Sequence, residues 1–287
     1  MSQVKKVLDH ETKAVTAGAV LTFNIPSFDT IDDVLLSFTN SGAAATKANI
    51  LSSIGKVAFA INGEQVINCP ISRLFDLYSS LGVEVTQNLV NVIGLNIGRY
   101  LFKDPVTEDF FAWGCNNIQT LQLQVYVGVT VTGITDLSVS TVRRSMTANL
   151  NSYIKVINYP QTMASTGIST VDTLPRDANE GYLQIMAHNG GGVISQGECV
   201  VNGAAVYDPT TQAQNDYIVN ARGLASVSGI FNYSFSDGSI KTFLPMLGVT
   251  ELRLKTTFTT APTAGTYDVT AVSIRNIPAV MLNQVRA

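Results

Sequence analysis

The segment that most resembles a catalytic motif is His188-Asn189-Gly190-Gly191-Gly192. A histidine followed by glycines forms the oxyanion loop of many esterases, but that loop works together with a serine in a G-x-S-x-G turn. The sequence contains no such turn, and its one other histidine, His10, lies far away in the chain. We therefore predict a glycine turn between two strands, no catalytic residues and no enzymatic activity.

Two groups of acidic residues have the chemistry of a calcium site, because carboxylate oxygens on adjoining loops are ligands that Ca²⁺ prefers. They are Asp29, Asp32 and Asp33 in one group and Glu108 and Asp109 in the other. The alternative is that these residues are solvated loop charges. The sequence assigns no ligand set, so the metal is undetermined and structural calcium is only a candidate.

No other cofactor is predicted, because the motifs that would hold one are missing. There is no G-x-x-x-x-G-K-[ST] loop and no G-x-G-x-x-G segment opening a helix, so a nucleotide site is not indicated. Two isolated histidines cannot supply the metal centre of a cupin-type enzyme.

The cysteines Cys69, Cys115 and Cys199 are widely spaced and form no C-x-x-C pair. We predict small buried thiols in a protein made in a reducing cytoplasm. One disulfide with a thiol left over is the alternative. Trp113 is likewise predicted to anchor a core or an interface, with a sugar-binding platform as the alternative.

The composition excludes several classes of protein. Charged residues are only 14% of the chain, against about 25% in a typical soluble domain, and the net charge is −3. A slightly acidic chain argues against sequence-specific nucleic-acid binding, which depends on basic surface. The basic residues near the termini, Lys5, Lys6 and Arg286, either touch an anionic surface or are solvated. The low charge indicates that much of the surface contacts protein.

No secretory signal is predicted at the N-terminus, because no apolar run follows the lysines of MSQVKKVLDHETK. The longest uncharged stretch, Phe110 to Thr135, is long enough for a membrane span but contains too many Asn and Gln residues.

Alternating apolar and polar residues dominate the sequence and predict many β-strands. Residues 121–132 read LQLQVYVGVTVT, so Leu and Val point one way while the residues between them point the other. Shorter stretches of the same kind start at Leu21, Val34, Val57, Leu183, Phe231, Leu252 and Tyr267. Turn-forming residues separate them, which indicates an all-β sandwich or barrel.

Two short helices are predicted within this β-rich chain. The first starts at Pro70 and stops at Gly82, with apolar residues at helical spacing between them. The second is expected to open at Asp208-Pro209, where an N-cap residue precedes proline, and to stop at Gly223.

The helices belong to an internal repeat. Residues 61–66 (INGEQV) correspond to residues 201–206 (VNGAAV), 140 positions later, and Asn-Gly is the strongest short hairpin signal. Each hairpin is followed by a proline-started helix, a strand, a Phe-containing segment and a strand with the pattern L-x-L. We predict two tandem eight-stranded jelly rolls, each with a short helix after its Asn-Gly hairpin. The boundary is placed after Arg143-Arg144-Ser145, which gives domains 1–145 and 146–287.

The order of these motifs resembles the double jelly-roll major capsid proteins of corticovirus-type tailless bacteriophages, which contain an internal membrane. The resemblance covers nearly the whole chain. It includes the hairpin and helix INGEQV…PISRLFDLYSSLG, FFAWGCNNIQTLQLQVYV, TLPRDANEGYLQI at the entry to the second barrel, VNGAAV…NDYIV and LGVTELRLKTTF. Leu174-Pro175-Arg176 and Gly181-Tyr182 look particularly similar to that family.

The resemblance implies a structural protein of the virion. Homotrimers would form pseudo-hexagonal capsomers that tile an icosahedral shell around an internal membrane and the genome. The implied partners are other copies of the chain, vertex (penton) and minor capsid proteins, and the viral membrane. The protein would be made in the host cytoplasm, and family members have no catalytic residues to carry over.

Two alternatives to a capsid protein stay open at the level of sequence. A phage or bacterial receptor-binding β-protein, such as a spike or lectin-like module, would bind glycans through exposed aromatic residues. A β-sandwich hydrolase is the weaker alternative, because the chain lacks an evident general base.

Overall fold

A computed structural model describes residues 5–83, 91–101, 111–236 and 242–277. The contacts divide the chain into two compact units. Unit 1 comprises Met1–Ser79 and Val83–Ile154, and unit 2 comprises Ser80–Gly82 and Lys155–Ala287. The contacts thus change over near residue 154, and the division at residue 145 stays a prediction.

Unit 1 contains two open antiparallel sheets. The first has the order β1-β10-β3, with the short strands β4, β7 and β8 paired along β3, and the second has the order β6-β5-β9-β2. The strands are β1 (Lys5–Ala14), β2 (Val20–Asn24), β3 (Thr30–Asn40), β4 (Ala43–Ala44), β5 (Ile54–Ile61), β6 (Glu64–Pro70), β7 (Val92–Gly94), β8 (Trp113–Gly114), β9 (Leu121–Val127) and β10 (Asp136–Arg144).

Unit 2 repeats this arrangement. One sheet has the order β16-β13-β19-β11, with β17 also paired to β13, and the other has the order β12-β18-β14-β15. The strands are β11 (Tyr153–Thr162), β12 (Gly167–Val171), β13 (Glu180–His188), β14 (Val193–Val201), β15 (Ala204–Thr211), β16 (Ile230–Ser234), β17 (Leu244–Pro245), β18 (Leu252–Thr260) and β19 (Thr266–Arg275).

The two units share one jelly-roll topology. Without the short strands β4, β8 and β17, each has eight main strands. In chain order the first, eighth, third and sixth form one sheet, and the second, seventh, fourth and fifth form the other. The predicted all-β double jelly roll is therefore confirmed, and each roll remains an open pair of sheets.

Apolar side chains at every second strand position fill the space between the sheets. Along β9, Leu121, Leu123 and Val125 are buried while Gln122 is exposed. The strand ends at Val127 instead of Thr132, and Val129 is 90% exposed. The alternation of VGVTVT alone could not locate this end, because side-chain pattern does not report whether a partner strand is present.

The helices are α1 (Lys47–Ser53), α2 (Ile71–Ser80), α3 (Gly98–Leu101) and α4 (Gln212–Ala221), with a 3₁₀ turn at Cys115–Asn117. The prediction that the second helix opens at Asp208-Pro209 was wrong, since Pro209 lies in β15. Thr211 caps α4 instead, and Gln214 completes a capping box with it. No helix in the described part of the chain has the length and apolar character needed to span a membrane.

Both Asn-Gly pairs form the predicted hairpin turns, with positive φ at Asn62, Gly63, Asn202 and Gly203. Each asparagine also ties its hairpin to a neighbouring segment. Asn62 Oδ1 accepts hydrogen bonds from the backbone N–H groups of residues 119 and 120, at 2.7 and 3.1 Å. Asn202 Oδ1 accepts from those of residues 250 and 251, at 2.9 and 3.1 Å.

Replacing either asparagine by alanine is expected to lower the free energy of unfolding by about 1–3 kcal/mol, because two backbone donors lose their acceptor. The two substitutions Asn62→Ala and Asn202→Ala should have similar effects in denaturant titrations of the purified protein. Ala205→Ser, an exposed change in the second hairpin, is the control and should leave stability unchanged within about 0.5 kcal/mol. Equal stability of all three variants would contradict the proposed role of the two asparagine side chains.

Candidate functional site

The acidic residues Asp32 and Asp33 are not loop charges. Both lie in β3, and their side chains are buried. The pairing of β3 with β10 shifts between Val142 and Arg143, which leaves Asp32 without an opposing residue and marks a β-bulge. A bulge lets two consecutive side chains avoid the barrel core, which strict alternation would forbid.

Asp32 belongs to a charged cluster that links three strands of unit 1. Its Oδ1 lies 2.6 Å from Nη2 of Arg144, the last residue of β10. Its Oδ2 lies 3.6 Å from Nζ of Lys5, the first residue of β1. Lys5 and Arg144 are opposite each other in the β1–β10 ladder, so the carboxylate sits beside two cations.

Unit 2 carries the same cluster in the same strands of its barrel. Glu180, at the start of β13, is buried, and its Oε1 lies 2.7 Å from Nζ of Lys155 in β11. The same oxygen lies 3.8 Å from Nη1 of Arg275, the last residue of β19. Arg275 also pairs with Asp177. The hydrogen bond from the backbone N–H of Asn179 and the pairing with Arg275 lower the pKa of Asp177.

Both units contain such a charged cluster, and the sequence analysis did not predict either one. In each barrel a lysine of the first strand and an arginine ending the eighth strand hold an acid at the start of the third. The spacings between corresponding residues differ between the halves, so a fixed sequence offset could not reveal them. Because burial of an unpaired carboxylate is costly, each cluster fixes three strands relative to one another.

Asp33 also has its own partners. Its Oδ1 accepts hydrogen bonds from the backbone N–H groups of Val34 and Asn96, at 2.9 and 2.8 Å, and its Oδ2 accepts one from the Tyr100 hydroxyl at 3.2 Å. The space beside it is filled, since a Cβ on Gly94 would lie 2.4 Å from Asp33 Oδ2.

The carboxylates of Asp32 and Asp33 are both engaged by donors of the protein itself. The Asp32 carboxylate faces Lys5 and Arg144, and the Asp33 carboxylate is engaged by N–H and hydroxyl donors. Within residues 5–83, 91–101, 111–236 and 242–277, no three His, Cys, Asp or Glu side chains are grouped to hold a metal. Glu108 and Asp109, together with Arg286, lie outside the described residues.

His188 ends β13 and is buried, with its Nε2 3.0 Å from Thr270 Oγ1. Asn189 closes the following glycine turn, since its Oδ1 accepts from the Gly191 N–H and its Nδ2 donates to the Gly192 carbonyl. The interpretation as a turn is confirmed. His10 lies in the other unit, where its Nε2 is 2.8 Å from Thr141 Oγ1.

The cysteines and the tryptophan are core residues. Cys69, Cys115 and Cys199 are buried and form no disulfide. Burial raises the pKa of Cys115 to about 11 and that of Cys199 to about 12. Trp113 is 1% exposed and packs against Phe59 with ring centroids 5.0 Å apart, so it is not available as a sugar-binding platform.

The predicted boundary residue Arg143 is also built into unit 1. It is buried in β10, and its Nη1 and Nη2 donate to the carbonyls of Phe28 and Pro26, both at 2.6 Å. Its guanidinium lies 4.1 Å from the centre of the Phe28 ring. Arg143 thus ties β10 to the loop before β3.

Exposed apolar side chains occur on both units. Val7 and Leu8 in β1 are 66% and 39% exposed, and Val206 in β15 is 45% exposed. Tyr217, on α4, is 76% exposed and lines a groove with Pro209, Thr210, Ala213, Gln214 and Ile218. The residues that line this groove include no charged side chain.

Comparisons with known proteins agree with this description. Residues 10–141 match the model of the viral coat protein P2 N-terminal domain, and residues 153–275 match that of the P2 C-terminal domain. The chain belongs to the P2 family of viral coat proteins. It is therefore a structural coat protein and not an enzyme.

Solved structures similar to this coat protein include viral capsid proteins. The major capsid protein P2 from Bacteriophage PM2 superimposes with a TM-score of 0.80 and 16% identity, over 96% of this chain and 99% of that one. The STIV MCP superimposes with a TM-score of 0.67 and 14% identity, over 99% of both chains. The PBCV-1 virus capsid superimposes with a TM-score of 0.65 and 11% identity, over 95% of this chain and 94% of that one. No curated protein sequence matches the chain.

Family membership favours the capsid prediction over the receptor-binding and hydrolase alternatives. As a viral coat protein, the chain is located in the virion. The similar solved structures also include that of Sulfolobus Turreted Icosahedral Virus, with a TM-score of 0.66 and 14% identity, over 98% of this chain and 96% of that one.

Removing the acid from either charged cluster should destabilise the coat protein. Glu180→Gln and Asp32→Asn are each expected to lower the free energy of unfolding by about 3 kcal/mol, because the largely buried cations Lys155 and Arg144 lose their counter-charge. Denaturant titration measures the change. The control is Glu251→Gln, which removes the partly exposed ion pair with Arg253 and should cost less than about 1 kcal/mol. Equal, small effects of all three substitutions would contradict the assigned role.

The thiols should be unreactive in the folded coat protein, because all three are buried. At pH 8 a thiol reagent such as dithionitrobenzoate should label none rapidly in native protein and all three after unfolding, since only thiolates react. Rapid labelling of one cysteine in the native protein would contradict this placement.

Proposed function

We propose that the chain forms homotrimers and that each trimer is a pseudo-hexagonal capsomer. The observation that carries this proposal is the repetition of one jelly-roll topology in both units. Three copies of a two-barrel chain present six similar barrels around a three-fold axis, and a block of that shape can tile a surface. A heterologous three-fold ring closes on itself, which limits growth within the block.

The capsomers tile an icosahedral shell that surrounds an internal membrane and the genome. The low charge of the chain supports this role, because a tile must bury protein surface against several neighbours. Vertex (penton) and minor capsid proteins complete the shell, and the viral membrane lies beneath it. The protein is made in the host cytoplasm and makes no sequence-specific contact with nucleic acid.

The trimer is tested by measuring the mass of the purified full-length chain in solution. Mass photometry across a range of concentrations should show a dominant species at three times the 30.7 kDa chain mass. Negative-stain images of that species should show a block with six lobes. A monomer at micromolar concentration in every salt condition, or a ring with another number of copies, would contradict the proposal.

A further inference from the structure

The N-terminal strand of unit 1, β1, is attached to its sheet with no help from a hydrophobic core. It lies at the end of the strand order, next to β10, and none of its residues is buried. Only His10 and Lys13 are partly covered, while the other residues of the strand are exposed. A strand with few buried apolar contacts opens at a low free-energy cost. The polar contacts of its side chains therefore decide how firmly β1 is held.

His10 occupies a β-bulge in the middle of this strand. The register of the β1–β10 ladder shifts between Asp9 and Glu11, so His10 has no opposing residue. Its Nε2 lies 2.8 Å from Oγ1 of Thr141 in β10. The histidine also lines a surface depression of about 260 Å³ together with Asp9 and Glu11, so water can reach the ring.

The hydroxyl of Thr141 is shared between His10 and Arg143. Nε of Arg143 lies 2.7 Å from Thr141 Oγ1 and can only donate, so the oxygen accepts this bond. The hydroxyl proton is then available to Nε2 of His10, which accepts a hydrogen bond only while the ring is neutral. Thr141 is 0% exposed, and among the described residues its hydroxyl has no third hydrogen-bond partner. The arrangement therefore fits a neutral His10 that carries its proton on Nδ1.

Protonation of His10 would disrupt this arrangement. Both ring nitrogens of a protonated histidine carry hydrogen, so Nε2 would become a second donor to Thr141 Oγ1. The buried hydroxyl proton would then lose its acceptor, which is costly away from water. The contact that supports the middle of β1 thus depends on the charge state of one side chain.

The charges around the histidine favour its neutral form. Burial and the guanidinium of Arg143 lower the pKa of the histidine, and Asp9 has a smaller opposite effect. Glu11, the next residue of β1, forms an ion pair with Lys13 at 3.3 Å. Asp29, in the loop before β3, acts on Arg143. The nearest cation therefore belongs to β10, the strand that β1 must remain attached to.

We propose that His10 makes the attachment of β1 to β10 sensitive to acid. The neutral ring stabilises the strand on the sheet, and protonation lets β1 open more often while the rest of the barrel stays folded. Because the folded chain favours the neutral ring, this stabilisation is complete above the pKa of a histidine in an unfolded chain, about 6.5. It is lost progressively as the pH falls below that value.

Hydrogen exchange of the full-length protein tests this device. Exchange is followed by mass spectrometry at about pH 7.5 and about pH 5, and each rate is divided by the intrinsic rate at that pH. The peptide of residues 5–14 should exchange about threefold faster or more at the lower pH. The peptide of β9, residues 121–127, contains no histidine and should not change. The mass in solution is measured at both pH values, so that the same assembly state is compared.

The variant His10→Gln is the matched control. Its amide can still bond to the Thr141 hydroxyl but does not titrate, so the corrected exchange of residues 5–14 should be equal at both pH values. Unchanged exchange of residues 5–14 in the wild-type chain, or the same acceleration in His10→Gln, would overturn the proposal. Equal acceleration of residues 121–127 would also overturn it, because the whole barrel would then be opening.

The variant Asp9→Lys decides the matter if His10→Gln opens β1 at both pH values. Residue 9 is exposed, so the change should leave the fold intact. A cation in place of this carboxylate disfavours the protonated ring. The pH midpoint at which exchange of residues 5–14 accelerates should therefore move downward. An unmoved midpoint would show that another group titrates and would overturn the proposal.

Discussion

The structure depends on the burial of the inward faces of two open sheets in each barrel. Leu123, Val125 and Phe59 in unit 1, and Leu254, Phe231 and Tyr233 in unit 2, are at most 1% exposed. A jelly roll packs two sheets face to face. The edge strand β1 contributes no buried residue to this core.

The buried charged side chains hold the strands in register rather than taking part in catalysis. Each barrel places a carboxylate beside a lysine and an arginine from two other strands. The core alone fixes which face of a strand points inward, while a buried ion pair tolerates little displacement along the strand. The clusters and the Asn-Gly turns thus recur because both barrels need the same strand register.

Sequence reasoning predicted the barrels well because their signals are local. Alternation identified the strands, Asn62-Gly63 and Asn202-Gly203 identified the hairpins, and their repetition identified the tandem arrangement. The start of α4 was misplaced because Asp208-Pro209 also suits a strand end, and the capping box at Thr211 and Gln214 decided the matter. The charged clusters could not be predicted, since Asp32 meets Lys5 and Arg144 only after three distant strands pair. The sequence also cannot show that Val66 is buried while Val206 is 45% exposed, because both valines follow the same hairpin motif.

Hydrogen exchange tests most directly whether the charged clusters hold the strands in register. Peptides spanning β1, residues 5–14, and β13, residues 180–188, are compared in the wild-type chain and in the variants Asp32→Asn and Glu180→Gln. The account predicts faster exchange of residues 5–14 in Asp32→Asn and of residues 180–188 in Glu180→Gln, while the peptide of the other barrel is unchanged in each variant. Unchanged exchange of both peptides in both variants would contradict it.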